Sequence, residues 1–146
     1  VSGKKVLIIG AGGVTPSIIY ALLKMNCNEI FVMNRTKKKA EEIKKIFNQI
    51  QVRNWGEKVN FDLVINTTSI GLKNENLNLD LNVTNKMFFD LIYNPIKTPF
   101  LEKAEKKGNR TENGLMMFIY QAHQSFVIWN KVIPKIDDEI IKMLSK

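Results

Sequence analysis

A chain of 146 residues, 45% hydrophobic and 25% charged, has the make-up of one globular domain with a sizeable core. That balance excludes disordered and fibrous classes, and no apolar run approaches the roughly 18 residues of a membrane span. The formal net charge is +8, but Arg occurs only at 35, 53 and 110, so 22 basic residues less three leaves 19 lysines spread among Asn and Ile. Sequence-specific readers of nucleic acid lean on the bidentate fork of arginine, so a lysine-rich solvated surface is expected and nucleic acid is not an expected partner. Cys27 is the sole cysteine, which excludes an internal disulfide and a thiolate metal cluster and leaves it a packing role. The first residues lack the basic, apolar and cleavage regions of a secretory signal, so the expected compartment is the cytoplasm, with no membrane partner. Starting at Val1 and entering a core strand within a few residues, the chain reads as a piece of something longer.

In chain order, residues 4–9 are predicted to form an apolar strand, followed by a glycine turn and a helix over Thr15–Lys24 with Ile18, Ile19, Leu22 and Leu23 inward. Thr15 is the predicted N-cap, with Pro16 at the first helical position, where a missing N–H costs nothing. Glu29–Met33 is the second strand, and 37–47 the second helix, with Ala40, Ile43 and Phe47 on one side. Residues 51–59 hold a short strand and a turn at Gly56, with Trp55 a surface aromatic at the sheet edge as one reading. A firmer strand, 61–66, leaves into Thr67-Thr68-Ser69 before Gly71. The Asn-rich stretch 73–85 lacks helical period and is expected to be a long loop, although Leu77, Leu79 and Leu81 alternate.

Residues 87–91 are the next strand. Thr98 then caps, and Pro99 opens, a helix that ends near Gly108. Residues 110–111 make a minimal edge strand. A long apolar helix over 114–130 and a last one over 134–145, with Ile136, Ile140, Ile141 and Leu144 inward, complete the chain. Strands alternating with helices imply right-handed crossovers. The predicted class is α/β: a Rossmann-like, doubly wound, mostly parallel sheet with helices on both faces, plus two C-terminal helices.

The glycine turn carries the first chemistry. After an apolar strand, Gly10 makes a tight turn, Gly12 lets backbone approach a pyrophosphate, and the next helix offers free N–H groups and the positive end of its dipole. The second strand ends in Asn34 with Arg35 after it, where a pocket for the unphosphorylated cofactor usually ends in Asp or Glu. A neutral side chain beside a guanidinium repels nothing and pairs with a 2′-phosphate. The spacing agrees, since 34 minus 10 is 24, near the roughly 20 residues expected.

Lys37, Lys38 and Lys39 open the next helix, where cations cost about 0.3–1 kcal/mol each unless an anion is present or they point into solvent. The turn Asn66-Thr67-Thr68-Ser69 stands where open α/β sheets place ligands, and its short polar side chains suit either a ribose and nicotinamide or capping of the turn itself. His123, the only histidine, has no carboxylate or nucleophile near it in sequence and reads as structural. Leu115 to Ile119 is first a packing surface, apolar nearly all round its helix, and so needs cover on more than one side.

Gly10-Ala11-Gly12-Gly13, Asn34-Arg35-Thr36, the run from Asp62 to Thr68 with Gly71, and the run from Asp90 to Pro95 with Thr98 to Leu101 occur in this order. Asn113 to Met117 then continues to Gln121-Ala122 and Trp129. Together they resemble the nucleotide-binding domain of the shikimate dehydrogenase family over nearly the whole chain, the Tyr-Asn-Pro and Gly-Leu-x-Met-x-x-x-Gln segments being the specific ones.

The resemblance implies the NADP-binding part of an oxidoreductase that reversibly reduces 3-dehydroshikimate to shikimate in aromatic amino acid and chorismate biosynthesis. It implies that Gly10, Ala11, Gly12 and Gly13 hold the pyrophosphate and that Asn34, Arg35, Thr36 and Lys39 grip the 2′-phosphate. Thr67 and Thr68 would lie along the cofactor, the backbone of Leu91 and Gly114 with Met117 would position the nicotinamide, and Tyr93 and Gln121 would reach the substrate. The family's catalytic Lys and Asp belong to an N-terminal substrate domain that this chain does not contain, so no catalytic residue is expected here and the piece alone is expected to bind without turnover. Residues 1–113 would be the NADP-binding domain and 114–146 the helices that pack back on that missing domain; a homodimer is compatible with the resemblance.

Two features depart from the family's pattern: Thr15-Pro16 replaces a small and often basic pair, and the stretch 107–113 is short for its edge strand. Two other readings stand beside the first. One is a quinate- or shikimate-type relative; the other is a non-catalytic nucleotide-binding module.

Overall fold

Strand β1 (Lys5–Ile9) is apolar on both faces because it lies at the centre of a sheet covered on both sides. The computed structural model describes residues 1–145, and in it β1 is flanked by β2 (Glu29–Met33) and β4 (Leu63–Asn66). With β3 (Gln51–Arg53), β5 (Met87–Asp90) and β6 (Arg110–Glu112) these make a six-stranded sheet in the order β3-β2-β1-β4-β5-β6. Every pairing is parallel. The chain runs outward from β1 to β3 and then crosses back to β4, so the order reverses between β1 and β4. Ile9, Met33 and Asn66 stand in register at the strand ends where that reversal opens a crevice.

Alternation divides the core into two layers. Val6 and Ile8 pack with Ile19, Leu22, Val32, Ala40 and Ile65 on one face. Leu7 and Ile9 pack with Phe31, Phe61, Phe88, Phe100 and Leu101 on the other. Helices α1 (Thr15–Lys24) and α2 (Lys37–Ile46) supply the first layer, and α3 (Pro99–Lys106) belongs to the second. The second layer is completed by the loop expected over 73–85: Leu77 is buried, and Leu79, Leu81 and Val83 pack on the core without a partner strand. Trp55 also packs on that layer, half-buried instead of lying at the surface.

The short stretch after α3 does form its strand. Gly108, at φ +75°, turns the chain, and the buried Asn109 donates to the carbonyls of Val83 (2.8 Å) and Ala104 (3.1 Å) while accepting from Lys86 N (2.9 Å). These bonds set Arg110 opposite Met87. At the other end of the sheet, Asp62 accepts from the Lys5 backbone at 2.9 Å, which ties the entry of β4 to that of β1.

Three expectations about helix ends needed correction. Thr15 is not the cap of α1: Val14 holds that place, Thr15 is the first helical residue, and its hydroxyl turns inward to Thr67 at 2.9 Å. Helix α4 (Leu115–Asn130) starts one residue late because Gly114 is its N-cap. The last helix, α5 (Asp138–Leu144), begins well after Pro134, because Asp137 caps it by accepting from Ile140 N at 3.0 Å. Residues 134–137 instead bring a carbonyl to α4, where His123 Nε2 and the Pro134 oxygen lie 2.9 Å apart. Cys27 is half-buried, its thiol donating to the Lys4 carbonyl at 3.1 Å.

Candidate functional site

The turn after β1 approaches the turn after β4 as closely as backbone allows. Gly10 has φ +119°, and a Cβ there would collide with the Thr67 hydroxyl, so only glycine fits. Thr67 N and Thr67 Oγ1 both donate to the Ile9 carbonyl, at 2.8 and 3.0 Å. Gly12 and Gly13 differ: nothing lies within 4 Å of a Cβ at either, and both are exposed. Ala11 is half-buried against the first core layer. The outer half of the turn therefore opens to solvent directly above α1.

Helix ends distinguish this edge of the sheet. Helices α3 and α5 have side-chain caps and acidic first turns, with Thr98 Oγ1 accepting from Leu101 N at 3.4 Å in the first. Helices α1 and α2 have neither a side-chain cap nor an acid in the first turn, a lack that α4 shares behind the cleft. Among the described residues the N–H groups of Gly12, Gly13 and Val14 make no hydrogen bond. Donors left bare on a helix that carries a partial positive charge at that end are a seat for an anion.

The start of α2 repeats the arrangement with full charges. Asn34 donates to the Thr36 carbonyl at 2.8 Å, a local turn that sets Arg35 out from the sheet edge. Arg35, Thr36, Lys38 and Lys39 are exposed, and Arg35, Lys38 and Lys39 make no side-chain hydrogen bond or ion pair among the described residues. Lys37 is drawn away, its ammonium donating to Asn54 at 2.9 Å. Cations crowding an uncapped N-terminus repel one another and the dipole. An anion seated there would remove both costs.

Between the ends of β4 and β5 lies a cleft of about 510 Å³ lined by Val14, Thr67, Thr68, Ser69, Leu72, Leu91, Ile92, Tyr93 and Asn94. Beneath it Asp90 is fully buried. Its Oδ1 accepts from Asn66 Nδ2 (3.0 Å) and Ile92 N (3.1 Å), and its Oδ2 from Thr98 Oγ1 (2.6 Å). Burial pushes the Asp90 carboxyl up from its ordinary pKa, against those three bonds, which favour the charged form. Asn66 Oδ1 in turn accepts from Thr68 N (3.1 Å) and Thr68 Oγ1 (2.7 Å).

Gly114 is buried and packs on the Leu91 carbonyl, while its N–H donates to Ile92 at 3.2 Å. Met117, half-buried, lies one turn further along α4. Tyr93 stacks on Phe118 with ring centroids 4.5 Å apart, and the exposed Gln121 stands one turn beyond Phe118 on the same side of the helix.

The sequence-derived residues thus fall into one edge of the molecule. Whereas Ala11 packs on the core, Gly12 and Gly13 are open at the end of β1, Asn34, Arg35 and Lys39 follow the end of the neighbouring β2, and Thr67, Thr68, Leu91 and Tyr93 line the cleft. Val14, Leu72, Ile92 and Asn94 also line it and were not anticipated, nor was the role of Asn66 and Asp90 beneath it. The available signal was a buried-type strand ending in a carboxylate with no basic residue next to it.

A reversed parallel sheet with a glycine turn and bare helix ends at its switch point defines a dinucleotide-binding α/β domain. The chain belongs to the Shikimate / quinate 5-dehydrogenase family, whose profile matches residues 1–92. It is 51% identical to the shikimate dehydrogenase (NADP(+)) of Pelagibacter ubique over 147 aligned residues, covering 99% of this chain and 56% of that protein. A chorismate mutase/shikimate 5-dehydrogenase fusion protein from Clostridium acetobutylicum superposes with a TM-score of 0.85 at 31% identity, covering 99% of this chain and 54% of that one. A shikimate dehydrogenase crystallised with NADP+ superposes with a TM-score of 0.77 at 32% identity, over 99% and 54%. The chain spans about half the length of the curated relatives it matches.

Proposed function

We propose that this chain holds NADP(H) and is the cofactor half of an enzyme that reversibly reduces 3-dehydroshikimate to shikimate. The observation that carries the reading is the pair of bare, uncapped helix N-termini at the switch point, one above open glycines and the other beside an exposed arginine and lysines. Gly12, Gly13 and Val14 would donate to the pyrophosphate. Arg35 and Lys39 would pair with the 2′-phosphate while Asn34 and Thr36 shape the turn that presents them. Relatives named for NADP(+) and shikimate support the cofactor and substrate class.

The cleft beside β4 and β5 would take the nicotinamide between Thr68 and Leu91, with Gly114 and Met117 behind it and Tyr93 and Gln121 toward the substrate. When bound, the nicotinamide supplies or receives the hydride. A ketone accepting that hydride needs a proton donor near the developing alkoxide. Tyr93 is the one titratable side chain in the lining of this cleft, and the family resemblance puts the proton donor outside it. In this reading a lysine and an aspartate of an N-terminal substrate domain provide it, and residues 114–146 are the helices on which that domain rests, apart from the NADP-binding unit of residues 1–113.

The exposed apolar residues Tyr120, Phe126, Ile128, Trp129, Ile133 and Met143 support such a contact. Among the described residues no helix is long and apolar enough to cross a membrane; a cytoplasmic place is part of the proposal and rests on the biosynthetic role. Fluorescence titration of the purified chain with NADPH and NADH tests the reading. Tight NADPH binding with NADH at least tenfold weaker supports it, and equal affinity or none overturns it.

A further inference from the structure

One side chain ties the two walls of the cleft together. The two walls come from separate loops: Thr67 to Ser69 after β4, and Leu91 to Asn94 after β5. Neither loop has regular structure, and loops of this kind move unless something ties them. Asn66 and Asp90 are the last register pair of β4 and β5, and their side chains bond across the gap at 3.0 Å.

From that bond the ties run outward in both directions. Asn66 holds Thr68 through two hydrogen bonds, and Thr68 Oγ1 accepts from Ile70 N at 3.1 Å. Asp90 holds Ile92 N at 3.1 Å, and the Ile92 carbonyl accepts from Gly114 N at 3.2 Å, where α4 begins. Asp90 Oδ2 also takes the hydroxyl of Thr98, which caps α3. A fully buried carboxylate that makes no ion pair among the described residues is costly to keep. Its three bonds join both walls of the cleft and the start of α3.

We propose that Asp90 is a positioning residue for the nicotinamide end of the cofactor: it fixes both walls of the cleft in advance of binding and touches no ligand itself. The proposal rests on the NADP reading above. It separates the two ends of the cofactor, because Asp90 bonds only to Asn66, Ile92 and Thr98, while the phosphate seats at α1 and α2 share no hydrogen bond with it, although Val14 at the start of α1 also lines the cleft.

The test uses residues 1–146, with NADPH and adenosine 2′,5′-bisphosphate as probes; the second has the phosphates and lacks the nicotinamide. Asp90→Leu is expected to weaken NADPH about tenfold and to abolish the change in nicotinamide emission on binding, with the bisphosphate held within twofold of wild type. Asp90→Asn keeps an oxygen acceptor toward Asn66 and Ile92, and is expected to restore NADPH affinity. Loss of both probes in proportion, or an unchanged NADPH to bisphosphate ratio in Asp90→Leu, overturns the proposal.

Should the leucine variant fail to fold, amide hydrogen exchange on the wild-type chain without cofactor decides. Slow exchange at Thr68 and Ile92 supports fixed walls, and exchange at unprotected rates overturns them. If the wild-type chain binds neither probe, the NADP reading itself falls, and this inference with it.

Discussion

Gly114 lies so close to the Leu91 carbonyl that the first carbon of any side chain at 114 would share the space of that oxygen. Its backbone is ordinary, with φ −79°, so the requirement for glycine is steric and comes from a residue far away in sequence. As the N-cap of α4, glycine is also better suited than alanine to that place, so the swap would not stabilise even an isolated helix. Here the obstacle is backbone, which cannot swing aside like a flexible side chain. Gly114→Ala is expected to lower unfolding free energy by about 1–3 kcal/mol in urea denaturation, and to weaken NADPH because Leu91 lines the cleft.

Gly12→Ala should behave in the opposite way. Nothing lies within 4 Å of the added methyl, and the backbone there needs no positive φ. The fold should be indifferent, within about 0.5 kcal/mol by denaturation. The methyl would occupy the space left for a pyrophosphate, and NADPH affinity should drop at least tenfold by fluorescence titration, about 1.4 kcal/mol. Unchanged affinity would place the phosphates elsewhere.

In the proposed reading Arg35 is the residue on which cofactor choice turns. Arg35→Ala should remove a charge-assisted bond to the 2′-phosphate, about 1.5–3 kcal/mol, or roughly ten- to a hundredfold in NADPH affinity. NADH, which has no such phosphate, should bind as before. The measurement is the ratio of the two dissociation constants at low and at high salt, and the ratio should shrink as salt screens the exposed charges. Lys37→Ala, whose ammonium is bonded to Asn54, should change that ratio far less.

Acid should loosen the sheet entry. The Lys5 backbone N–H, aided by the Lys86 ammonium, holds the Asp62 carboxyl below the usual range. A lowered folded pKa means a contribution complete above the unfolded value of about 3.9 and lost as pH falls through the folded value. Asp62 is partly exposed, so solvent screening keeps its share below about 1 kcal/mol. Asp90 works in the other sense: with its pKa raised by burial, its ionisation opposes folding, and that cost fades as pH falls through the raised folded value and is gone below the unfolded one. Denaturation between pH 3 and 6 should show Asp62→Asn with a flatter fall below about pH 4 than wild type.

Much of this molecule is written locally. The hydrophobic strands, the glycines after β1, and the Thr98-Pro99 helix start follow from rules that act within a few residues, and they appear where those rules put them. The order of strands and helices, with a glycine turn and Asn34-Arg35 at the right interval, was enough to mark a cofactor edge and its phosphate preference as expectations.

The misreadings share one cause, which is that the competing partner lay far along the chain. Thr15 has the ideal side chain for capping α1, but a hydroxyl on Thr67, 52 residues away, claims it for the joint between two loops. Asn66 and Asp90 look like ordinary strand ends in sequence; only when β4 and β5 lie side by side do they meet beneath the cleft. Local propensity and spacing determined which elements exist and which edge could bind an anion. Which polar groups would be buried together, and so which residues hold the cleft's shape, was decided by the packing of strands, because hydrogen-bond partners in a parallel sheet are separated by whole crossovers.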